Sequence, residues 1–125
     1  MASTEARGPR QILRAARYSA QGLKAAWKHE ASFRLEAYLL LIFLPLAFFL
    51  GRNALERAIL AAVVILVPTM ELMNGALEAI VDKTTPEHHI LAGRAKDMGS
   101  AAVSGCMIIV IIVWGAVALE RFAKF

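Results

Sequence analysis

Glu71, Asn74, Glu78 and Asp82 interrupt an otherwise apolar stretch, MELMNGALEAIVD, from Met70 to Asp82. At 100° per residue their spacing of i, i+3, i+7 and i+11 gathers all four within a sector of roughly 80° on one helix face. Carboxylates aligned in this way can take a proton from a hydroxyl or offer oxygens to a hard cation. Glu78 and Asp82 also admit a plainer reading, as the solvated end of a helix. Glu71 and Asn74 lie deeper, where ionisable groups in a membrane segment serve function by default.

A second polar face follows on the next helix, where His89, Gly93, Lys96, Asp97, Ser100 and Ser104 fall together by the same arithmetic. Glu30 joins them if the first helix continues that far, because it then sits on the apolar stripe with Trp27. These faces collect carboxylates, an ammonium and small residues at one depth. Mg²⁺ takes carboxylate oxygens and keeps phosphates as further ligands, while a lysine offsets charge on a transferring phosphoryl group. The constellation suits a metal–nucleotide site beside lipid. Lys96 and Asp97 as a surface ion pair is the competing reading. His88 and His89 point about 100° apart on a helix and are expected to pack at the interface and not to share an ion. A GxxxxGK[ST] phosphate loop is absent from the sequence.

The elements that must position these residues are helical. Met1 to Pro9 is small and polar and reads as a frayed tail. From about residue 10 to 30, Ile12, Ala16, Leu23 and Trp27 form an apolar stripe opposite Arg10, Arg14, Arg17, Lys24 and Lys28, the pattern of a basic amphipathic helix lying on anionic headgroups. Three apolar segments follow, expected as transmembrane helices at about 33–51, 54–83 and 86–121. The first carries Pro45, which should bend it. The second starts after Asn53, an N-cap with Glu56 three residues on, in the arrangement of a capping box. It would be about 45 Å long, more than the roughly 30 Å of a hydrocarbon core, so its last turns must project beyond the lipid. For the third, Thr84 or Thr85 can cap and Pro86 can open the first turn. Its stretch from Met98 to Leu119 carries no charge at all.

Composition agrees: 58% of the residues are hydrophobic and mean hydropathy is +0.56, more apolar than a small soluble core requires. The chain is expected to be an all-α membrane protein of one domain over residues 10–125, without nucleic acid as a partner. Cys106 cannot form an intrachain disulfide, being the single cysteine. Of 14 basic residues, ten fall in the N-terminal region and the second loop and four on the other side (Arg52, Arg57, Arg121 and Lys124). By the positive-inside rule the N-terminus is cytoplasmic and the C-terminus periplasmic or external. A three-helix monomer is too thin to shield a polar site, so small residues such as Ser100, Ala101, Ser104 and Gly105 are expected to pack an oligomer.

The segments ELMNGALEAIVD and GRAKDMGSAAV, preceded by AAWKHEASFRLE, resemble the small integral-membrane diacylglycerol kinases of bacteria over nearly the whole chain after the first ten residues. The family's second-helix pattern is E-x-x-N-[ST]-A-[IL]-E, with Gly75 here in place of the hydroxyl residue. The resemblance implies a homotrimer in the bacterial inner membrane that moves the ATP γ-phosphate to the primary hydroxyl of diacylglycerol, with Mg²⁺. It implies that Glu71 is the general base, Asn74 a positioning residue, and Glu30 and Glu78 the metal ligands. Lys96 would meet the phosphates, and Tyr18, Ser19, Glu30, Glu78, Asp82, His89, Gly93 and Asp97 would line the nucleotide site. Arg34, Glu71 and Ser100 would face the lipid, and Arg10 and Gln11 occupy the place of a further nucleotide contact. Undecaprenol phosphorylation is the nearest rival reading. An ion-coupled transporter with Glu71 as proton carrier is the rival from another class.

Overall fold

A computed structural model describes residues 8–123. Four helices follow in order: α1 (Pro9–His29), α2 (Ala31–Leu50), α3 (Ala54–Thr84) and α4 (Ile90–Phe122). α2, α3 and α4 are each long and apolar enough to cross a membrane. The tail expected over residues 1–9 falls mostly outside the described residues, and Pro9 already occupies the first turn of α1, where its missing N–H costs nothing.

The first helix does not run through Glu30. That residue is extended, at φ −113° and ψ 103°, and forms a one-residue elbow between α1 and α2. Arg34 fastens the elbow, its Nη1 donating to the carbonyls of Trp27 (2.7 Å) and Lys28 (3.3 Å), which the helix end leaves without amide partners. Glu30 therefore reaches inward from a bend and not from the apolar stripe of a longer α1. Ala26 is the one buried residue of α1, while Ile12 and Leu13 are about three-quarters and two-thirds exposed (73% and 70%).

α3 is the central element, packed along α4 and along α2, whereas α2 and α4 barely meet. Its core contact joins Val67 to Val103 and Cys106, with Met70 and Val110 alongside. Leu60 is fully buried, and Trp114 donates its indole N–H to the Leu60 carbonyl (3.2 Å) and stands edge-on to Phe43. Pro45 and Pro68 lie within helices that continue through them. Each removes an amide from the ladder.

Asn53 caps α3, Oδ1 accepting from the Glu56 amide at 2.9 Å. The reciprocal half of the capping box is not formed, because the Glu56 carboxylate is taken by the Arg52 amide and guanidinium. α4 begins later than Thr84, Thr85 and Pro86 suggested. Thr84 still belongs to α3 and bonds back to the Ile80 carbonyl, and His89 is the cap, with Nδ1 accepting from the Leu91 amide at 3.1 Å. An imidazole acceptor does there what a threonine hydroxyl would have done four residues earlier.

Candidate functional site

Burial falls steadily along the polar face of α3. Glu71 and Asn74 are buried, Glu78 is half-buried and Asp82 is exposed. The buried end is enclosed by three neighbouring helices and the elbow. From the elbow, Glu30 lays its carboxyl over Gly75, so closely that a Cβ on Gly75 would stand 3.1 Å from Glu30 Oε1. Asn74 is pinned between α3 and α4: its amide nitrogen donates weakly to Glu78 Oε1 (3.4 Å), its side chain interacts with Glu71, and its Oδ1 is pressed against Gly99, leaving no room for a Cβ there.

The sequence reading missed one member of this group. Glu36 on α2 is only 8% exposed, and its carboxyl meets that of Glu71 across the α2–α3 contact. The signal was present in the spacing: Phe33, Glu36, Leu40, Phe43 and Ala47 share one helical face, and that face is the one α2 buries. A carboxyl on the buried face of a membrane helix is as conspicuous as Glu71. Glu71 thus stands within electrostatic reach of Glu30, Glu36 and Glu78, and no ion pair engages any of these four among the described residues.

Asp82 and Lys96 form a separate, outer unit, with Nζ 2.5 Å from Oδ1. Lys96 therefore pairs across to α3 and not with its neighbour Asp97. His89 and Gly93 join them around a cavity of about 250 Å³ at the α3–α4 loop. Asp97 lies on the far side of α4, beside an open hollow that also borders His89 and Gly93. Ser19 lines a cavity of about 620 Å³ between α1 and α3, which Glu30 and Gly75 close at one end. Tyr18 and Ser100 are exposed and touch none of these cavities, and the Arg34 guanidinium is committed to the elbow. Ser100, Ala101 and Ser104 face outward along α4.

Among the described residues, no cluster of three or more His, Cys, Asp or Glu side chains is arranged to hold a metal by itself. Mg²⁺ does not demand such a cage, since it commonly takes one or two carboxylates and completes its shell with substrate phosphates and water. The Glu30 and Glu78 carboxylates, neither of them in an ion pair among the described residues, fit that requirement by donor type.

A family profile described as prokaryotic diacylglycerol kinase matches residues 17–118. A Haemophilus influenzae protein named diacylglycerol kinase is 46% identical over 110 residues, covering 88% of this chain and 93% of its own length. The Escherichia coli K12 protein of the same name is 46% identical over 104 residues (83% and 85%), and one from Pseudomonas aeruginosa is 40% identical over 112 residues (90% and 91%).

Proposed function

We propose that this chain, which belongs to the prokaryotic diacylglycerol kinase family and is a lipid kinase of bacterial membranes, transfers the γ-phosphate of ATP to the primary hydroxyl of diacylglycerol, giving phosphatidic acid, with Glu71 as the general base. One observation carries the assignment of the base: a buried carboxyl on α3, in no ion pair among the described residues, beside Glu30, Glu36 and Glu78.

In this reading the acceptor hydroxyl gives its proton to Glu71 as its oxygen bonds to the γ-phosphorus and the bond to the β-phosphate bridging oxygen breaks. Asn74 holds Glu71 and Glu78 in register through its amide. Glu30 and Glu78 would hold Mg²⁺, which when bound neutralises charge on the nucleotide phosphates. Lys96 and Asp82 flank the phosphates from the outer cavity with His89 and Gly93, while Ser19 faces the nucleotide from the α1–α3 cavity and Asp97 from the hollow beside α4. Arg34 serves by fixing the elbow that delivers Glu30. Tyr18 and Ser100 reach the nucleotide and the lipid from exposed positions, a role that fits their joining sites between subunits of a homotrimer through the open small-residue face of α4.

The chain sits in the inner membrane with its N-terminus and the α3–α4 loop in the cytoplasm, where ten of the 14 basic residues fall. α1 lies on that surface as an amphipathic helix, supported by the exposure of Ile12, Leu13, Leu23 and Trp27. Neither the polyprenol nor the transporter alternative is favoured by the matches. The test is turnover of Glu71→Gln in mixed micelles with saturating MgATP and diacylglycerol. It should fall by about two orders of magnitude or more with nucleotide affinity nearly unchanged. Turnover close to that of the wild type removes Glu71 from the role of base.

A further inference from the structure

Glu36 is the buried titratable group that the reaction as described does not use. It is as enclosed as Glu71, at 8% exposure for each residue, and its Oε2 is buried without a hydrogen-bond partner. Below it lies an apolar cavity of about 250 Å³ between α2, α3 and α4, lined by residues such as Leu40, Phe43, Val64, Pro68 and Met107. Little of the carboxyl reaches the surface, and among the described residues no ion pair engages it. Arg34, on the same helix, is spent on the elbow carbonyls, and Lys96 on Asp82. α4 offers Met107, Val110 and Ile111 to this cavity, all uncharged. From α3 and the elbow, the groups nearest the pair are Glu71 itself, Asn74, Glu78 and Glu30, none of them basic.

Such a residue does not earn its place by packing. A leucine of similar size would suit the surrounding side chains better and would avoid burying a polar atom without a partner. Two carboxyls in contact in a water-poor site cannot both be ionised, so one proton is held between them. If Glu71 is to accept a proton from the acceptor hydroxyl, that held proton belongs on Glu36.

We propose that Glu36 is the positioning partner of the base: a protonated carboxyl that donates a hydrogen bond to Glu71, keeping Glu71 ionised and its free oxygen aimed at the lipid hydroxyl. The proposal rests on the reading of Glu71 as general base. Glu36 neither gains nor loses a proton in the transfer. The hydroxyl proton goes to Glu71, the new O–P bond forms at the γ-phosphorus, and ADP leaves with the electron pair of the broken bond.

Two replacements separate this role from a structural one. Glu36→Gln keeps a donor of the same length and should hold kcat within about threefold of the wild type. Glu36→Leu fills the space but cannot donate, and should lower kcat by about ten- to hundredfold, the worth of a hydrogen bond to a charged group, with KM for MgATP unchanged. Thermal stability in the same micelles should be equal or higher for Glu36→Leu. Wild-type turnover in Glu36→Leu overturns the proposal, and so does a Glu36→Gln chain that falls as far as Glu36→Leu. Should Glu36→Leu fail to fold, a drop of tenfold or more in Glu36→Gln overturns it, and near-normal turnover supports it. Glu71→Gln run alongside tells the two readings apart. If it is inactive while Glu36→Leu is normal, only the pairing fails; if it is active, the base itself was misassigned.

Discussion

The two ends of the bundle treat charge in opposite ways. At the α2–α3 turn every charge has a local use. Arg52 binds Glu56 at 2.7 Å and approaches Glu120 at 3.9 Å, and Arg57 donates to the Phe48 and Gly51 carbonyls while covering the Phe48 ring. Arg121 reaches back to the Leu50 carbonyl. At the elbow end, Glu30, Glu36, Glu71 and Glu78 draw together, and among the described residues none of them is in an ion pair. The first arrangement closes helix ends and leaves nothing to bind. The second leaves carboxylates unsatisfied, an arrangement that costs stability and is retained where a ligand or a proton completes it.

That contrast breaks most visibly at the elbow end. Beyond the changes at Glu71 and Glu36, Glu78→Gln should raise the Mg²⁺ needed for half-maximal turnover by about tenfold, read from a magnesium titration at fixed ATP. An unchanged titration would place Glu78 with the paired, structural charges. Gly99→Ala is a subtler probe, because its methyl would collide with Asn74 Oδ1 and crowd Leu77. The expected result is a loss of about 1–3 kcal/mol in stability, with turnover down several-fold as Asn74 is displaced. If kcat survives while the thermal midpoint drops, Asn74 is packing and not positioning. At the other end, Asn53→Ala removes the α3 cap and should cost about 1 kcal/mol without altering kcat or the magnesium requirement. A kinetic defect there would erase the distinction between the two ends.

Much of this division is legible in the sequence. The three apolar runs, the cap at Asn53 and the α3 stripe from Glu71 to Asp82 all follow from local periodicity, and each depends on neighbours within two turns. What escaped depended on longer range or on competing local bonds. The break at Glu30 is fixed by Arg34 binding the carbonyls of Trp27 and Lys28, a contact no periodicity encodes. The start of α4 lies later than two threonines and a proline suggest, because His89 supplies the cap with its imidazole. Glu36 is inconspicuous in the sequence because it follows Glu30 and Arg34 at the start of a membrane segment, where charge is ordinary. Only its register with Phe33 and Ala47, and the packing of α2 on α3, set it against Glu71.

The two tryptophans divide the molecule optically. Trp27 meets Tyr38 edge-on, ring centroids 5.4 Å apart, so that contact bridges α1 and α2 across the Glu30 elbow. Trp114 is held within the spans by the Leu60 carbonyl and the Phe43 ring. Intrinsic fluorescence from this chain therefore has one source that senses the attachment of α1 to α2 and another that senses the packing of the three long apolar helices. With either indole replaced by phenylalanine, the remaining emission becomes a clean gauge of a single event, detachment of α1 in one case and separation of α3 from α4 in the other.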